Sequence, residues 1–174
     1  MTKPRPLRTG ATFAENAKLK AVAAARQTGI LSLADDSGLE VDALAGAPGV
    51  RSARYAGEGA SDRTNIERLL VELELTTDDQ RTARFVCALA LANADGLLAS
   101  ASGTCKGRII WAPRGTNGFG YDPVFEMEDG RTVAELTEAE KNRISHRGIA
   151  MREMMPGLLI AIAAQRLHIH GAGQ

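Results

Sequence analysis

Two long strand-like segments joined by a short polar one constrain the fold of this chain more than any other feature. Residues 82–92 are almost entirely apolar, residues 93–96 read Asn-Ala-Asp-Gly, and residues 97–110 form a second strand-like segment. Asn and Asp-Gly between two apolar segments are typical of the turn of a hairpin. The sequence therefore predicts a long β-hairpin near the middle of the chain.

Two helices are predicted before this hairpin. Thr12 and Glu15 fit a capping box, and the helix that follows is expected to run to about Gln27 and to stop at Gly29. Apolar residues at helical spacing predict a second helix over residues 61–75, with Ser61 as its N-cap.

Helices also follow the hairpin. Thr137 and Glu140 fit another capping box, and a last helix is expected from His146 to about Leu167, with an interruption at Pro156. The order of elements is helix, strand, helix, hairpin and helices, which indicates an α/β protein. A length of 174 residues is ordinary for one domain, so residues 1–174 are expected to form a single domain.

The strand before the hairpin is expected to end at two adjacent carboxylates. Residues 30–34 form a short apolar segment, Asp35 and Asp36 follow, and Ser37-Gly38 is expected to turn the chain. Carboxylates beside a buried strand are costly unless something binds them, and Mg²⁺ is usually held by one or two carboxylates and substrate phosphates. Asp35 and Asp36 are therefore candidate Mg²⁺ ligands. The alternative is a solvated turn in which Asp36 caps the next element.

A glycine-rich loop supplies a second candidate site. Residues 115–123 contain three glycines and two aromatic residues, Phe119 and Tyr121, in a chain whose aromatic content is 4%. Glycine lets the backbone approach a ligand closely, and an aromatic face is a stacking platform for a flat base. In the same loop, Asp122 could accept hydrogen bonds from base N–H groups. The alternative is that Phe119 fills the protein core.

Three basic residues form a third group. Ser145 fits an N-cap, which places His146 and Arg147 in the first turn of the last helix, and Lys141 precedes them. The free N–H groups and positive dipole end of a helix N-terminus favour electronegative ligand atoms. The alternatives are an exposed basic cluster and, for His146, a structural role.

Composition argues against several classes of function. The chain has 21 basic and 21 acidic residues, so its formal net charge is zero and gives no reason to expect a nucleic-acid or membrane partner. Cys87 and Cys105 lack the spacing of a metal site and are expected to be buried reduced thiols, which favours the cytoplasm. No segment is long and apolar enough to span a bilayer, and no signal peptide is expected.

Five motifs together resemble those of one enzyme family, the inosine/xanthosine triphosphate pyrophosphatases, which remove non-standard purine nucleotides. The resemblance runs from about Thr9 to Leu158, and the motifs are specific in sequence, order and spacing. They are Thr-Gly-Ala-Thr-Phe-Ala-Glu-Asn-Ala at 9–17, Ala-Asp-Asp-Ser-Gly-Leu at 34–39, Ala-Pro-Gly-Val-Arg-Ser-Ala-Arg-Tyr at 47–55, Gly-Phe-Gly-Tyr-Asp-Pro at 118–123 and Ser-His-Arg-Gly at 145–148.

The resemblance implies a fold, a partner and a reaction. The fold would be an elongated mixed β-sheet flanked by helices, with two lobes around a central cleft, and the protein would be a homodimer. The reaction would be the Mg²⁺-dependent hydrolysis of ITP, dITP or XTP to the monophosphate and pyrophosphate.

The resemblance also implies roles for individual residues. Asp36 would be the general base and a metal-associated carboxylate, Ser37 would contact the substrate, and Lys20 on the first helix would face the phosphates. The base would be held by Phe119, Gly120, Tyr121 and Asp122, and its recognition completed by Lys141, His146 and Arg147.

The implied reaction agrees with the chemistry of these residues. Water must attack a phosphorus atom inside a polyanion; Mg²⁺ neutralises charge there, and a carboxylate positions the water. Hypoxanthine and xanthine present a C6 carbonyl and an N1–H, whereas adenine presents an amino group and a bare N1. Donors from Lys141, His146 or Arg147 would pair with the first two bases and be left unpaired against adenine.

The N-terminal residues differ from the family pattern. Family members carry a Ser/Thr-x-Asn-x-x-Lys loop for the triphosphate, which residues 1–8 lack, and Arg8 stands where a metal-associated glutamate is expected. The absent segment would be about 40 residues by ordinary element lengths. The chain is therefore expected to be truncated and weakly active. The alternatives are a nucleotide-binding module without turnover and a structural dimerisation remnant.

Overall fold

A twisted sheet covered by helices on both faces organises the described part of the molecule. The structure is a computed structural model that describes the backbone of residues 10–171 and the side chains of residues 10–165, so the predictions for residues 1–9 lie outside it. Its helices are α1 (Phe13–Thr28), α2 (Asp62–Glu72), α3 (Glu138–Ile144) and α4 (His146–Gly171). Its strands are β1 (Ser32–Val41), β2 (Thr82–Ala92), β3 (Leu97–Ile109) and β4 (Phe125–Glu126).

The predicted hairpin is confirmed and forms the middle of the sheet. Strands β2 and β3 pair antiparallel, β1 lies against the other edge of β2, and the order is β1-β2-β3-β4. The α/β class is confirmed. The strand pairs within residues 10–171 are all antiparallel, so the mixture of strand directions that the resemblance implies is not found in this part of the chain.

Alternate residues of β2 pack against different helices. Successive side chains of a strand point to opposite faces, and each face of β2 is buried. One face carries alanines, which lets the alanine-rich α1 approach closely; these alanines are Ala88, Ala90 and Ala92 on β2 and Ala17, Ala21 and Ala25 on α1. The other face packs against α4 through Cys87, Leu89, Leu91, Ala150 and Met154.

A separate apolar cluster fills the other end of the sheet. It joins α2 to the start of β2 and the end of β3, and it includes Leu39, Leu69, Phe85, Ile109 and Phe125. The sheet is thus covered by α1 and α4 at one end and by α2 with its neighbouring 3₁₀ helices at the other. This division agrees with the expected two lobes.

The predicted starts of α1 and α2 and the predicted end of α1 are confirmed. Thr12 and Glu15 form the capping box of α1, and Gly29 ends this helix in the left-handed conformation with φ of 70°. Ser61 caps α2, which ends at Glu72. The predicted end of α2, about residue 75, is therefore a few residues too late.

The expected turn at Ser37-Gly38 is wrong, because β1 continues through it. The ladder between β1 and β2 is unbroken from Ser32 to Val41. Gly38 is needed there for space: a Cβ atom would lie 2.4 Å from Ser52 Oγ. The 3₁₀ helix Gly49–Arg54 packs directly on the strand, and glycine permits that close approach.

The expected interruption of the last helix at Pro156 is also wrong. Proline removes one hydrogen bond from a helix interior, yet α4 continues through it to Gly171. Side chains on both sides of the proline, Met154 and Leu158 among them, pack against the sheet. This packing holds the helix across the missing bond. No helix within the described residues combines the length and hydropathy that a membrane span requires.

Candidate active site

One cavity of about 1110 Å³ opens between the two ends of the sheet. It is bounded by α1, the middle of β1, the start of α2, the glycine-rich loop and the first turn of α4. Every site residue predicted from the sequence lines it: Lys20, Asp35, Asp36, Ser37, Phe119, Gly120, Tyr121, Asp122, Lys141, His146 and Arg147.

Asp36 and Lys20 form a buried ion pair at one end of the cavity. Asp36 pairs with Ala88 across the sheet and therefore lies on the face that α1 covers. Its side chain is 2% exposed, and Lys20 Nζ on α1 lies 2.6 Å from its Oδ1 atom. Lys20 Nζ also donates to the Asp35 carbonyl at 2.7 Å. The ammonium compensates a carboxylate that would otherwise be costly to bury.

Asp35 lies on the opposite face of β1. It pairs with Leu89 on the α4 side of the sheet. Arg147 Nη2 lies 3.4 Å from Asp35 Oδ2, and the Ser37 hydroxyl donates to the same oxygen at 3.1 Å. The expectation of two carboxylates side by side in a turn is therefore wrong in its geometry, because neighbouring strand residues point in opposite directions.

Phe119 is presented to the cavity. Its ring is 58% exposed, so the alternative that it fills the core is wrong. Gly118 and Gly120 on either side have φ of 80° and 61°, a left-handed conformation that favours glycine. Lys141 Nζ lies 4.6 Å from the ring centroid and the Arg147 guanidinium 5.4 Å from it.

The two residues after Gly120 anchor the loop. Tyr121 is buried, and its hydroxyl donates to the Ser52 carbonyl at 2.9 Å; burial raises the pKa of this phenol well above its ordinary value. Asp122 is 4% exposed and forms an ion pair with Lys141. Tyr121 is thus an anchor, and Phe119 is the aromatic surface that remains open to a ligand.

His146 and Arg147 occupy the first turn of α4, as predicted. The Ser145 hydroxyl accepts a hydrogen bond from Gly148 N at 3.1 Å, which confirms it as the N-cap. His146 stacks on Phe85 with ring centroids 5.0 Å apart. Burial lowers the pKa of His146 to about 4, so the imidazole is neutral near pH 7 and has one donor and one acceptor nitrogen.

Several polar residues of the cavity were not predicted from the sequence. Asn117 Nδ2 donates to the Leu136 carbonyl at 3.0 Å, and Asp62 Oδ2 accepts from Gly120 N at 2.6 Å. Asn65 and Ser52 also line the cavity. Each of these two hydrogen bonds joins residues far apart in the chain. Asp62 could not be predicted as a site residue because it follows an N-cap and resembles an ordinary acidic residue in the first turn of a helix.

Carboxylate oxygens are the donors available for a metal. No group of three or more His, Cys, Asp or Glu side chains suited to a metal occurs among the described residues. Mg²⁺ needs fewer protein ligands when substrate phosphates complete its coordination, and it prefers oxygen. The buried carboxylate of Asp36 in a cavity open to a ligand fits that requirement.

The chain is similar in sequence and in structure to several known proteins. A dITP/XTP pyrophosphatase of Exiguobacterium sibiricum is 53% identical over 158 residues, covering 90% of this chain and 80% of that protein. A dITP/XTP pyrophosphatase of Geobacillus kaustophilus is 56% identical over 152 residues, covering 87% of this chain and 74% of that protein. A HAM1 protein from Coxiella burnetii has a similar structure, with a TM-score of 0.84 and 46% identity, covering 91% of this chain and 81% of that one.

A further solved structure, the nucleoside-triphosphatase or dITP/XTP pyrophosphatase of Mycobacterium abscessus, matches with a TM-score of 0.77 and 45% identity, covering 91% of this chain and 81% of that one. The sequence profile of the Ham1 family matches residues 1–157. The chain therefore belongs to the Ham1 family.

Proposed function

We propose that this protein hydrolyses the non-standard purine nucleotides ITP, dITP and XTP to the monophosphate and pyrophosphate. The observation that carries the proposal is one cavity lined by an exposed aromatic ring beside basic donors and by a buried carboxylate. Two relatives at 53% and 56% identity are named dITP/XTP pyrophosphatase, which supports dITP and XTP as substrates.

Base selection would rest on donors around Phe119. A purine stacked on the ring would bring its C6 edge toward Lys141 and the neutral His146, which offers one N–H. A C6 carbonyl accepts from such donors, whereas the amino group of adenine cannot. Half-buried donors left without a partner on adenine would penalise ATP.

Hydrolysis would be carried out at Asp36. Water attacks phosphorus, the anhydride between the α- and β-phosphates breaks, pyrophosphate leaves, and the proton from water passes to the Asp36 carboxylate. Lys20 holds that carboxylate at 2.6 Å and offers a positive charge to the phosphates. Asp36 would also be the residue that holds Mg²⁺, which when bound neutralises phosphate charge and orients the triphosphate.

We also propose a homodimer that works in the cytoplasm. An apolar row on α4 is open to solvent at helical spacing, with Met151, Met155, Leu159 and Ile162 between 36% and 59% exposed. A second copy of this row would cover it. The free thiols of Cys87 and Cys105 agree with a reducing compartment. Sedimentation of the native chain and of Leu159→Glu tests the dimer, because a charge in the row would leave only monomer.

Product analysis tests the proposed reaction. Incubation with ITP and Mg²⁺ should yield IMP and pyrophosphate in equal amounts. Asp36→Asn should keep nucleotide binding and lose most turnover, because an amide cannot take up a proton. Asp95→Asn, in the exposed hairpin turn, is the matched control and should be as active as the parent. Release of orthophosphate, or full activity of Asp36→Asn, would contradict the proposal.

A further inference from the structure

The direction of the Phe119 ring depends on its backbone. The ring is 58% exposed, and cationic groups of Lys141 and Arg147 lie over its face. Both are long side chains with many rotamers, so they do not restrain an aromatic ring closely. A stacking surface used for recognition must be held in place by other contacts.

Two carboxylates hold the peptide groups on either side of Phe119. The Phe119 N–H donates to Asp122 Oδ2 at 2.9 Å, and the Gly120 N–H donates to Asp62 Oδ2 at 2.6 Å. Each peptide group is planar, so φ and ψ of a residue are determined once both flanking groups are held. Asp122 thus restrains φ of Phe119. Asp62 restrains ψ from the N–H side of the Phe119–Gly120 peptide, whose carbonyl accepts from Asp122 N at 3.3 Å.

Asp62 is itself held by a well-anchored helix. It is the first residue of α2. Near that end, the Asn65 side chain accepts from Ala56 N at 2.8 Å. At the other end, the buried Arg81 donates from Nη1 to the Leu73 carbonyl at 2.8 Å. The acceptor for the Gly120 N–H is therefore supplied by an element that has its own fixed position.

The conformation of Gly120 directs its N–H toward Asp62. A Cβ atom at this glycine would meet nothing within 4 Å, so space does not explain the residue. Its φ of 61° explains the glycine, because residues with a side chain rarely adopt this backbone conformation. The next residue, Tyr121, is tied to Ser52. The loop is thus attached twice to the lobe that carries α2.

We propose that Asp62 is a positioning residue for purine recognition, which sets the orientation of Phe119 through the Gly120 peptide. The proposal rests on the proposed function, since it assumes that a purine stacks on Phe119. Asp62 needs no contact with the nucleotide. Its carboxylate accepts a charge-assisted hydrogen bond from the Gly120 N–H, 58 positions away in the sequence. That bond joins α2 to the glycine-rich loop.

Calorimetry with IMP tests the proposal, because IMP has the base and lacks the triphosphate. Asp62→Ala should weaken IMP binding by about fivefold, within the cost of ordering one backbone residue. Asp62→Asn should bind nearly as the parent, because the amide oxygen still accepts. In a Phe119→Ala background, Asp62→Ala should have no further effect, since a residue that acts through another is not additive with it.

Glu67→Ala is the matched control. Glu67 is an exposed acid on the same helix, paired with Arg63, and does not line the cavity. Its substitution should leave IMP binding unchanged. Equal IMP affinity of Asp62→Ala and the parent, or an equal loss with and without Phe119, would overturn the positioning role.

Exchange of the Gly120 amide hydrogen separates this proposal from the proposed function. Exchange should be faster in Asp62→Ala than in the parent and in Glu67→Ala, whether or not a nucleotide binds. Failure of the parent to bind IMP would contradict the proposed function. In that case faster exchange still supports the restraint on the loop, and unchanged exchange overturns it.

Discussion

Replacement of Gly103 by alanine should displace the proposed base-recognition residues His146 and Arg147, although Gly103 does not line the cavity. Gly103 lies on β3 beneath the first turn of α4. A Cβ atom there would lie 2.1 Å from the His146 carbonyl oxygen and 2.5 Å from Ala150 N. Both neighbours are backbone atoms that no rotamer change can remove. The first turn of α4 must therefore shift by more than about 1 Å to reach van der Waals distance, and it carries His146 and Arg147 with it.

The size of the effect follows from this shift. Inserting a methyl group into a packed interface costs about 1–3 kcal/mol. In a chain of this length, about 2 kcal/mol lowers Tm by roughly 5 °C. A 1 Å displacement of recognition groups costs about 100-fold in rate. Gly103→Ala should therefore fold, melt a few degrees earlier and lose about 100-fold in kcat/KM for ITP.

Gly157→Ala separates stability from site geometry. Gly157 lies in the same interface between α4 and β3, where a Cβ atom would be 2.9 Å from Ala99 Cβ, and it does not line the cavity. Melting curves and steady-state ITP hydrolysis of both variants make the comparison. Gly157→Ala should change Tm without changing kcat/KM. A parental kcat/KM in Gly103→Ala despite a lower Tm would refute the expected displacement of His146 and Arg147.

Three other substitutions test separate parts of the site. Asp35→Asn should raise KM for ITP and leave the Mg²⁺ concentration for half-maximal rate unchanged, because Asp35 contacts Arg147 and faces away from Asp36. Phe119→Ala should weaken IMP binding by about 1–3 kcal/mol in calorimetry, the usual worth of a base–aromatic stack. The pKa of His146 is about 4 when folded, below its ordinary value, so the unfolded chain takes the proton first and stability falls as pH drops from about 6.5 to 4. In His146→Gln, the decrease in Tm between pH 7 and pH 4.5 should be smaller than in the parent, because the contribution of His146 is absent.

Each of these three predictions has an outcome that contradicts it. A higher Mg²⁺ requirement in Asp35→Asn would make Asp35 a metal ligand. Unchanged IMP affinity in Phe119→Ala would remove the ring from the base site. An identical pH dependence of Tm in His146→Gln would mean that the imidazole is not kept neutral by burial.

Local physical chemistry accounts for what could be predicted from the sequence. The hairpin depends on two apolar runs and a turn, and the caps at Thr12, Ser61 and Thr137 depend on residues within a few positions. These signals lie in neighbouring residues. They therefore do not depend on how distant parts of the chain pack.

Long-range packing accounts for what could not be predicted. Gly38 resembles a turn glycine, but it lies in a strand because Ser52 packs against it. Asp35 and Asp36 look like one site, yet the pleat sends them to Arg147 and Lys20 on opposite faces. No local pattern reveals which elements meet across the sheet.

The contact between Asp62 and Gly120 shows the same limit within the site. These residues are 58 positions apart, and neither has a neighbour that signals the other. The resemblance to a family supplied the residues that we propose contact the substrate. The residues that hold those groups in place became visible only with the fold.

ITP and ATP differ at the C6 edge of the purine, so their relative turnover reports selection of the base. Pyrophosphate release by this chain with Mg²⁺ should be followed for ITP and for ATP, and the two values of kcat/KM compared. Donors from Lys141 and His146 that pair with a C6 carbonyl predict a preference for ITP of at least about 100-fold. Equal kcat/KM values for ITP and ATP would contradict the account.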